Sequence, residues 1–194
     1  METIRSILLN DKDKKEILSI DLSKSHMSKN FTLTKEEILS TKSMIKPYIK
    51  VGYSLQLLFI KNLGRPIPID YKEIPIEILE FIGEQLNITN VNIEKYFTTE
   101  ITRKRNSQHL VEILGYSKFI ITDEITNIAK ILSMNISSKK QLVLEFLDRL
   151  KELKIIAPAL ATVEEFLYQI MQDTNSNIYK DIVFQIPDKI KLDT

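Results

Sequence analysis

Between Pro47 and Lys61 the sequence reads as a single helix, and its middle, Val51 to Ile60, is apolar on nearly every side. A helix without a polar face cannot rest on a surface, so this segment belongs at the centre of a core. The rest of the chain suits a core built from helices. Its 194 residues include four glycines and six prolines, too few for the many tight turns of a sandwich or barrel, and Ile, Leu, Lys and Glu abound. The expectation is an all-α, multi-helix bundle, long enough for one domain or two small ones.

Helix signals punctuate the chain. Within the first 28 residues Asp11 to Leu18 is a short candidate helix and Asp21 to Ser28 is polar, so residues 1–28 read as an N-terminal arm and linker ahead of a helical region over 29–190. Thr34 followed by Glu37 is a capping-box signature and opens a helix through about Lys42. Pro47 suits a first helical turn, and Gly64, Pro66 and Pro68 form a break. Pro75 starts a helix to about Leu86, with Ile76, Leu79, Ile82 and Leu86 on one stripe. The polar connection at 87–92 is the expected seam between two packed subdomains. Past it, a turn around Tyr96 leads into a helix that stops near Gly115. Thr122 caps a helix to about Met134, and Ser138 with Gln141 caps another that buries Leu142, Phe146, Leu150 and Leu153. Thr162 with Glu165 opens a last helix to Gln172 or beyond. The tail from Phe184 reads as extended, and Lys118 to Thr122 and Ile182 to Ile186 could each pair briefly as strands.

Residues 102 to 109 read Thr-Arg-Lys-Arg-Asn-Ser-Gln-His. A helix starting near Thr102 puts Arg103, Lys104 and Arg105 in its first turn, where each exposed cation costs roughly 0.3 to 1 kcal/mol against the macrodipole. A bound phosphate would remove that conflict, because helix N-termini offer free N–H groups to anions. A start at Thr98 or Thr99, with Glu100 in the first turn, weakens the conflict and leaves a solvated helix end. A second cationic stretch runs from Glu37 to Asp70, holding Lys42, Lys46, Lys50, Lys61 and Arg65 with no acid between. It is either a positive surface or a scatter of solubilising lysines. With a net charge of +1, any nucleic-acid binding must come from such local clustering.

Other chemistries find little support. The absence of cysteine excludes disulfides and thiolate metal sites and fits the cytoplasm. His26 and His109 are the two histidines, and there is no glycine-rich phosphate loop and no HExxH. Glu36/Glu37, Asp123/Glu124 and Glu164/Glu165 fall at helix starts, where carboxylates stabilise the dipole. The expectation is a non-enzyme with no metal, cofactor or small-molecule substrate, and with neither signal peptide nor membrane span.

Several blocks fall in a telling order. Leu8-Leu9-Asn10-Asp11 is followed by Phe31-Thr32-Leu33-Thr34-Lys35-Glu36-Glu37. Then come Lys50-Val51-Gly52-Tyr53-Ser54-Leu55-Gln56-Leu57 and Lys61-Asn62-Leu63-Gly64-Arg65-Pro66. Ile74-Pro75 through Gln85-Leu86-Asn87, Tyr96 with Thr102-Arg103, Lys154-Ile155-Ile156-Ala157-Pro158 and Ile186-Pro187 complete the series. In this order the chain resembles the N-terminal region of replicative, cointegrate-forming transposases of the Tn-three type. Two positions depart from that family's Y-x-x-R-x-x-T-R-x-x-H pattern: Thr99 stands at its Arg and Asn106 at its His. Losing the Arg contact would lower DNA affinity or shift specificity, and Arg105 and His109 lie near enough to Asn106 to compensate in part.

The resemblance implies a helical region that binds the terminal inverted repeat of double-stranded DNA through a helix-turn-helix-like element and positions a distant Asp-Asp-Glu catalytic domain. No part of that domain is in this sequence, so the chain would not cut or join DNA alone. On that basis Arg103, Lys104 and Arg105 are expected to contact phosphates or base edges from a helix N-terminus. Lys50, Lys61 and Arg65 would grip the backbone, Asn106 and Gln108 would read adenine, and Thr102 and His109 are further candidates. Full-length transposase is a second candidate partner. The alternative is a degenerate transposase remnant that acts only as a helical protein-interaction module.

Overall fold

A computed structural model of the chain describes residues 8 to 90 and 92 to 185, with side chains as far as residue 176. The architecture is all-α. Among the described residues, ten α-helices are joined by short connections, and the strand pairing is a single two-residue parallel ladder. The helices divide, among the described residues, between two compact units, one made of residues 18–90 and 92–119 with 150–157 and the other of 8–17, 120–149 and 158–185. Residues 87–92 fall inside the first of these.

In the larger unit, the polar stretch after α1 (Asp11–Leu18) is itself partly helical, forming α2 (Lys24–Asn30) behind a Ser23 cap. The capping box at α3 (Lys35–Ser40) is complete: Thr34 Oγ1 accepts from the Glu37 N–H, and Glu37 reaches back to the Thr34 N–H. Pro47 opens α4 (Pro47–Leu58) as expected, and every residue from Val51 to Ile60 is buried. The helix ends in a π-helical turn, Phe59–Leu63, and Gly64 closes it at φ 64°, where its carbonyl accepts the Ala157 N–H. Pro75 acts as the N-cap of α5 (Ile76–Leu86). The buried stripe of α5 is Ile78, Leu79 and Ile82, whereas Ile76 is 57% exposed. With the helix starting one residue later than Pro75, its inward face falls on 78 and 82, and Ile76 is left on the first turn facing solvent.

Then come α6 (Glu94–Thr98) and α7 (Glu100–Ile113), and Gly115 stops α7 at φ 68°. Just beyond it β1 (Ser117–Lys118) pairs in parallel with β2 (Ile155–Ile156). Of the two segments that could pair, Lys118 to Thr122 does so only through Lys118, and Ile182 to Gln185 is helical instead, with Ile186 outside the described residues.

The other unit is built from α8 (Asp123–Asn135), the greater part of α9 (Lys139–Glu152) and α10 (Leu160–Gln185). Thr122 and Ser138 cap the first two. Leu142, Phe146 and Leu150 of α9 are buried, while Leu153, past the helix end, is 42% exposed. The last helix begins at Leu160, directly after Pro158, so Thr162 sits in its first turn rather than at its cap. It continues through Phe184 and Gln185, which corrects the expectation of an extended tail there; the rest of that tail lies outside the described residues. Leu8 and Leu9 are buried, and the Leu9 N–H donates to the carboxylate of Glu164.

Candidate functional site

The octet 102–109 lies within α7, and the helix that carries it is held in an unusual way. Its N-terminal half has no apolar stripe, so the inward face is polar. Asn106, buried on that face, donates from Nδ2 to the Tyr96 hydroxyl at 3.1 Å. Tyr96, fully buried on α6, donates in turn to Oε1 of Gln56 on α4 at 2.6 Å, and Gln56 Nε2 donates to the Arg103 carbonyl at 3.2 Å. The ring of Tyr96 lies against Gly52, where an added Cβ would come within 2.3 Å of it. Burial pushes the Tyr96 hydroxyl up to about 12, while the Asn106 hydrogen bond and the Arg103 charge pull weakly the other way. Further along α7, Leu110 supplies the buried apolar contact. Three helices therefore meet at one chain of satisfied polar groups, as buried polar groups require.

α7 starts at Glu100, not near Thr102. Glu100 takes the first turn, where a carboxylate is favourable, and the Arg-Lys-Arg run lies beyond it, so the dipole conflict read from the sequence is largely absent. The three cations have different surroundings. Arg103 rests over the Phe97 ring at 5.4 Å, and Lys104 pairs with Glu100 at 2.7 Å. Arg105 is exposed and makes no ion pair or hydrogen bond among the described residues. Helical spacing puts Lys104, Arg105 and Gln108 on the solvent face, where the Gln108 amide donates to Glu112 at 3.4 Å. His109 is exposed at the margin of that face, 6.4 Å from the Tyr53 ring, and Thr102 is half-buried.

In the second cationic stretch, Lys61 and Arg65 have partners within the protein. Lys61 pairs with Glu37, the capping-box acid, at 2.7 Å. Arg65 donates to the Leu18 carbonyl at 3.1 Å and stands over Phe59, and its burial lowers its pKa. Lys50 is half-buried on α4, one turn before Tyr53. Asn106 is turned inward and its amide is already used, so the base contact expected of it gives way to a structural role.

Sequence reading missed the Gly52–Gln56–Tyr96 contact, although a signal was present. A glycine and a glutamine one turn apart in an otherwise apolar helix mark a place where something packs close and needs a hydrogen bond.

Two comparisons with known proteins bear on this geometry. A family model described as a domain of unknown function, DUF4158, matches residues 8–170. The transposase for transposon Tn501 of Pseudomonas aeruginosa is 20% identical over 193 residues, which is 97% of this chain and 19% of that protein. The chain thus spans about a fifth of the length of this curated relative.

Proposed function

Since the chain belongs to the DUF4158 family and is similar along nearly its whole length to part of a transposase, we propose that it is a sequence-specific DNA-binding module. Its target is the terminal inverted repeat of a transposon, and it acts as the recognition region of a replicative transposase whose catalytic domain is not in this sequence. The observation that carries this reading is the solvent face of α7. There Arg105, without an ion pair or hydrogen bond among the described residues, stands beside Lys104 and Gln108, on a helix fixed from behind by the Tyr96 network. A guanidinium and an amide in that setting can address guanine and adenine edges, with the ammonium on phosphate. Lys50 and His109 belong to the same unit and serve as backbone contacts. Lys61, Arg65 and Arg103 are held by partners within the protein and would reach DNA only by exchanging them.

The test is fluorescence anisotropy with a duplex carrying the terminal repeat of the element that encodes the chain and with a scrambled duplex, over a range of salt. Preference for the repeat and a steep loss of affinity with salt are expected, because phosphate contacts release condensed counterions. Arg105→Ala should cost roughly 1 to 3 kcal/mol on the repeat and less on the scrambled duplex. A second reading, a remnant that serves only as a helical interaction module, draws on the inward turn of Asn106 and the internal pairing of Lys61 and Arg65. Equal and weak binding to both duplexes would decide for it.

A further inference from the structure

Beside α7 runs an open groove of about 480 Å³ whose far bank the reading above leaves unused. Lys104, Ser107, Gln108 and Val111 form its helical wall, with Glu112 toward one end, and Tyr116 and Lys118 form the opposite bank. That bank is anchored rather than loose. The Ser117 N–H donates to the Lys154 carbonyl at 2.8 Å, and Lys118 is in register with Ile156 across the parallel ladder. Lys118 is exposed and has no ion pair or hydrogen bond among the described residues. Lys104, across the groove, is shared with Glu100 in an exposed pair that is easily exchanged.

We propose that this groove seats the sugar-phosphate backbone of the bound duplex, with Lys118 as a phosphate contact and Lys104 passing from Glu100 to a phosphate. The proposal rests on the DNA-binding reading and deepens it. An open groove with an ammonium on either bank and a hydroxyl, an amide and Val111 along one wall suits a phosphodiester strand, where charge recurs along a chain, better than a single small anion; seated there, Gln108 meets backbone rather than a base edge, and base reading passes to Arg105. It also orients the helix. Arg105 lies one residue, about 100° of helical turn, from Lys104, so backbone held on the Lys104 side turns Arg105 toward the base edges. Glu112 repels phosphate and marks where the strand leaves the groove.

The test uses the full chain and the two duplexes named above, with Lys118→Ala and Glu112→Gln alongside the unsubstituted protein. Lys118→Ala should weaken both duplexes by the same several-fold factor and lower the salt slope by about 1. Glu112→Gln should tighten both, and neither exposed substitution should move the thermal midpoint. If the unsubstituted protein discriminates the repeat while Lys118→Ala keeps its affinity and slope, the groove assignment is wrong and the DNA-binding reading stands. If the unsubstituted protein binds neither duplex, both fall together.

Discussion

Tyr96 shows how much one side chain decides. Its hydroxyl serves as donor to Gln56 and acceptor from Asn106, and its ring fills the space that Gly52 leaves open. Removing the hydroxyl in Tyr96→Phe leaves a buried carbonyl and a buried amide without partners, a loss of about 1 to 3 kcal/mol by urea unfolding. The same residue predicts alkaline sensitivity. In the folded protein the hydroxyl is raised from its ordinary value of 10.0 to about 12, so between those values the unfolded chain gives up a proton that the folded one keeps. Stability from this group is whole below pH 10 and is lost as pH climbs toward 12, on the order of 2 to 3 kcal/mol in all. Unfolding midpoints measured across that window should fall for the unsubstituted protein and fall less for Tyr96→Phe. Parallel curves for the two proteins would show that the Tyr96 hydroxyl is not the group responsible.

At the scale of elements, the helices fall into those the sequence announces and those it does not. Thr34 with Glu37, Pro47, Gly115, Thr122 and Ser138 act where the pattern puts them, because a cap is satisfied within a few residues of itself. α7 is the contrary case. The segment from Glu100 to His109 carries no apolar stripe, and what fixes it is a hydrogen-bond chain to α4 and α6. Gly52 sets how near α6 comes to α4. Gly52→Ala should favour the isolated helix by propensity yet destabilise the protein by about 1 to 3 kcal/mol, because the methyl overlaps the Tyr96 ring. A chemical-denaturation midpoint equal to or above that of the unsubstituted protein would overturn this account. A helix seated on a polar network also gains precision, since hydrogen bonds specify rotation about the helix axis where a greasy face would tolerate several.

At the scale of the molecule, each unit buries apolar side chains of its own. Val51, Leu55, Leu58, Phe59, Ile78 and Ile82 centre one, while Leu142, Phe146, Val163 and Leu167 lie in the other. In the second unit, residues 9 to 16 are tied to α9 and α10. The Glu164 side chain is only 2% exposed, and it accepts the Leu9 N–H and pairs with Lys14 at 3.1 Å; Lys140 adds ion pairs to Asp13 and Glu16. Lys14→Met should therefore cost about 1 to 3 kcal/mol, less than the loss of a partner from a fully buried pair because Lys14 is a third exposed. Calorimetry would register this as a lowered transition, and an unchanged one would mean that Glu164 needs only the backbone N–H. No described helix is long and apolar enough to cross a membrane. By itself the sequence determined the helical class, most helix starts and the fully buried α4, since capping, proline placement and apolar periodicity act over a few residues. Tertiary structure alone decided that Asn106 faces inward, that Lys61 and Arg65 are held within the protein, and that Arg105 and Lys118 stand open to solvent. Those outcomes depend on which side chains distant in the chain come within hydrogen-bonding reach, a matter of packing that no local pattern encodes.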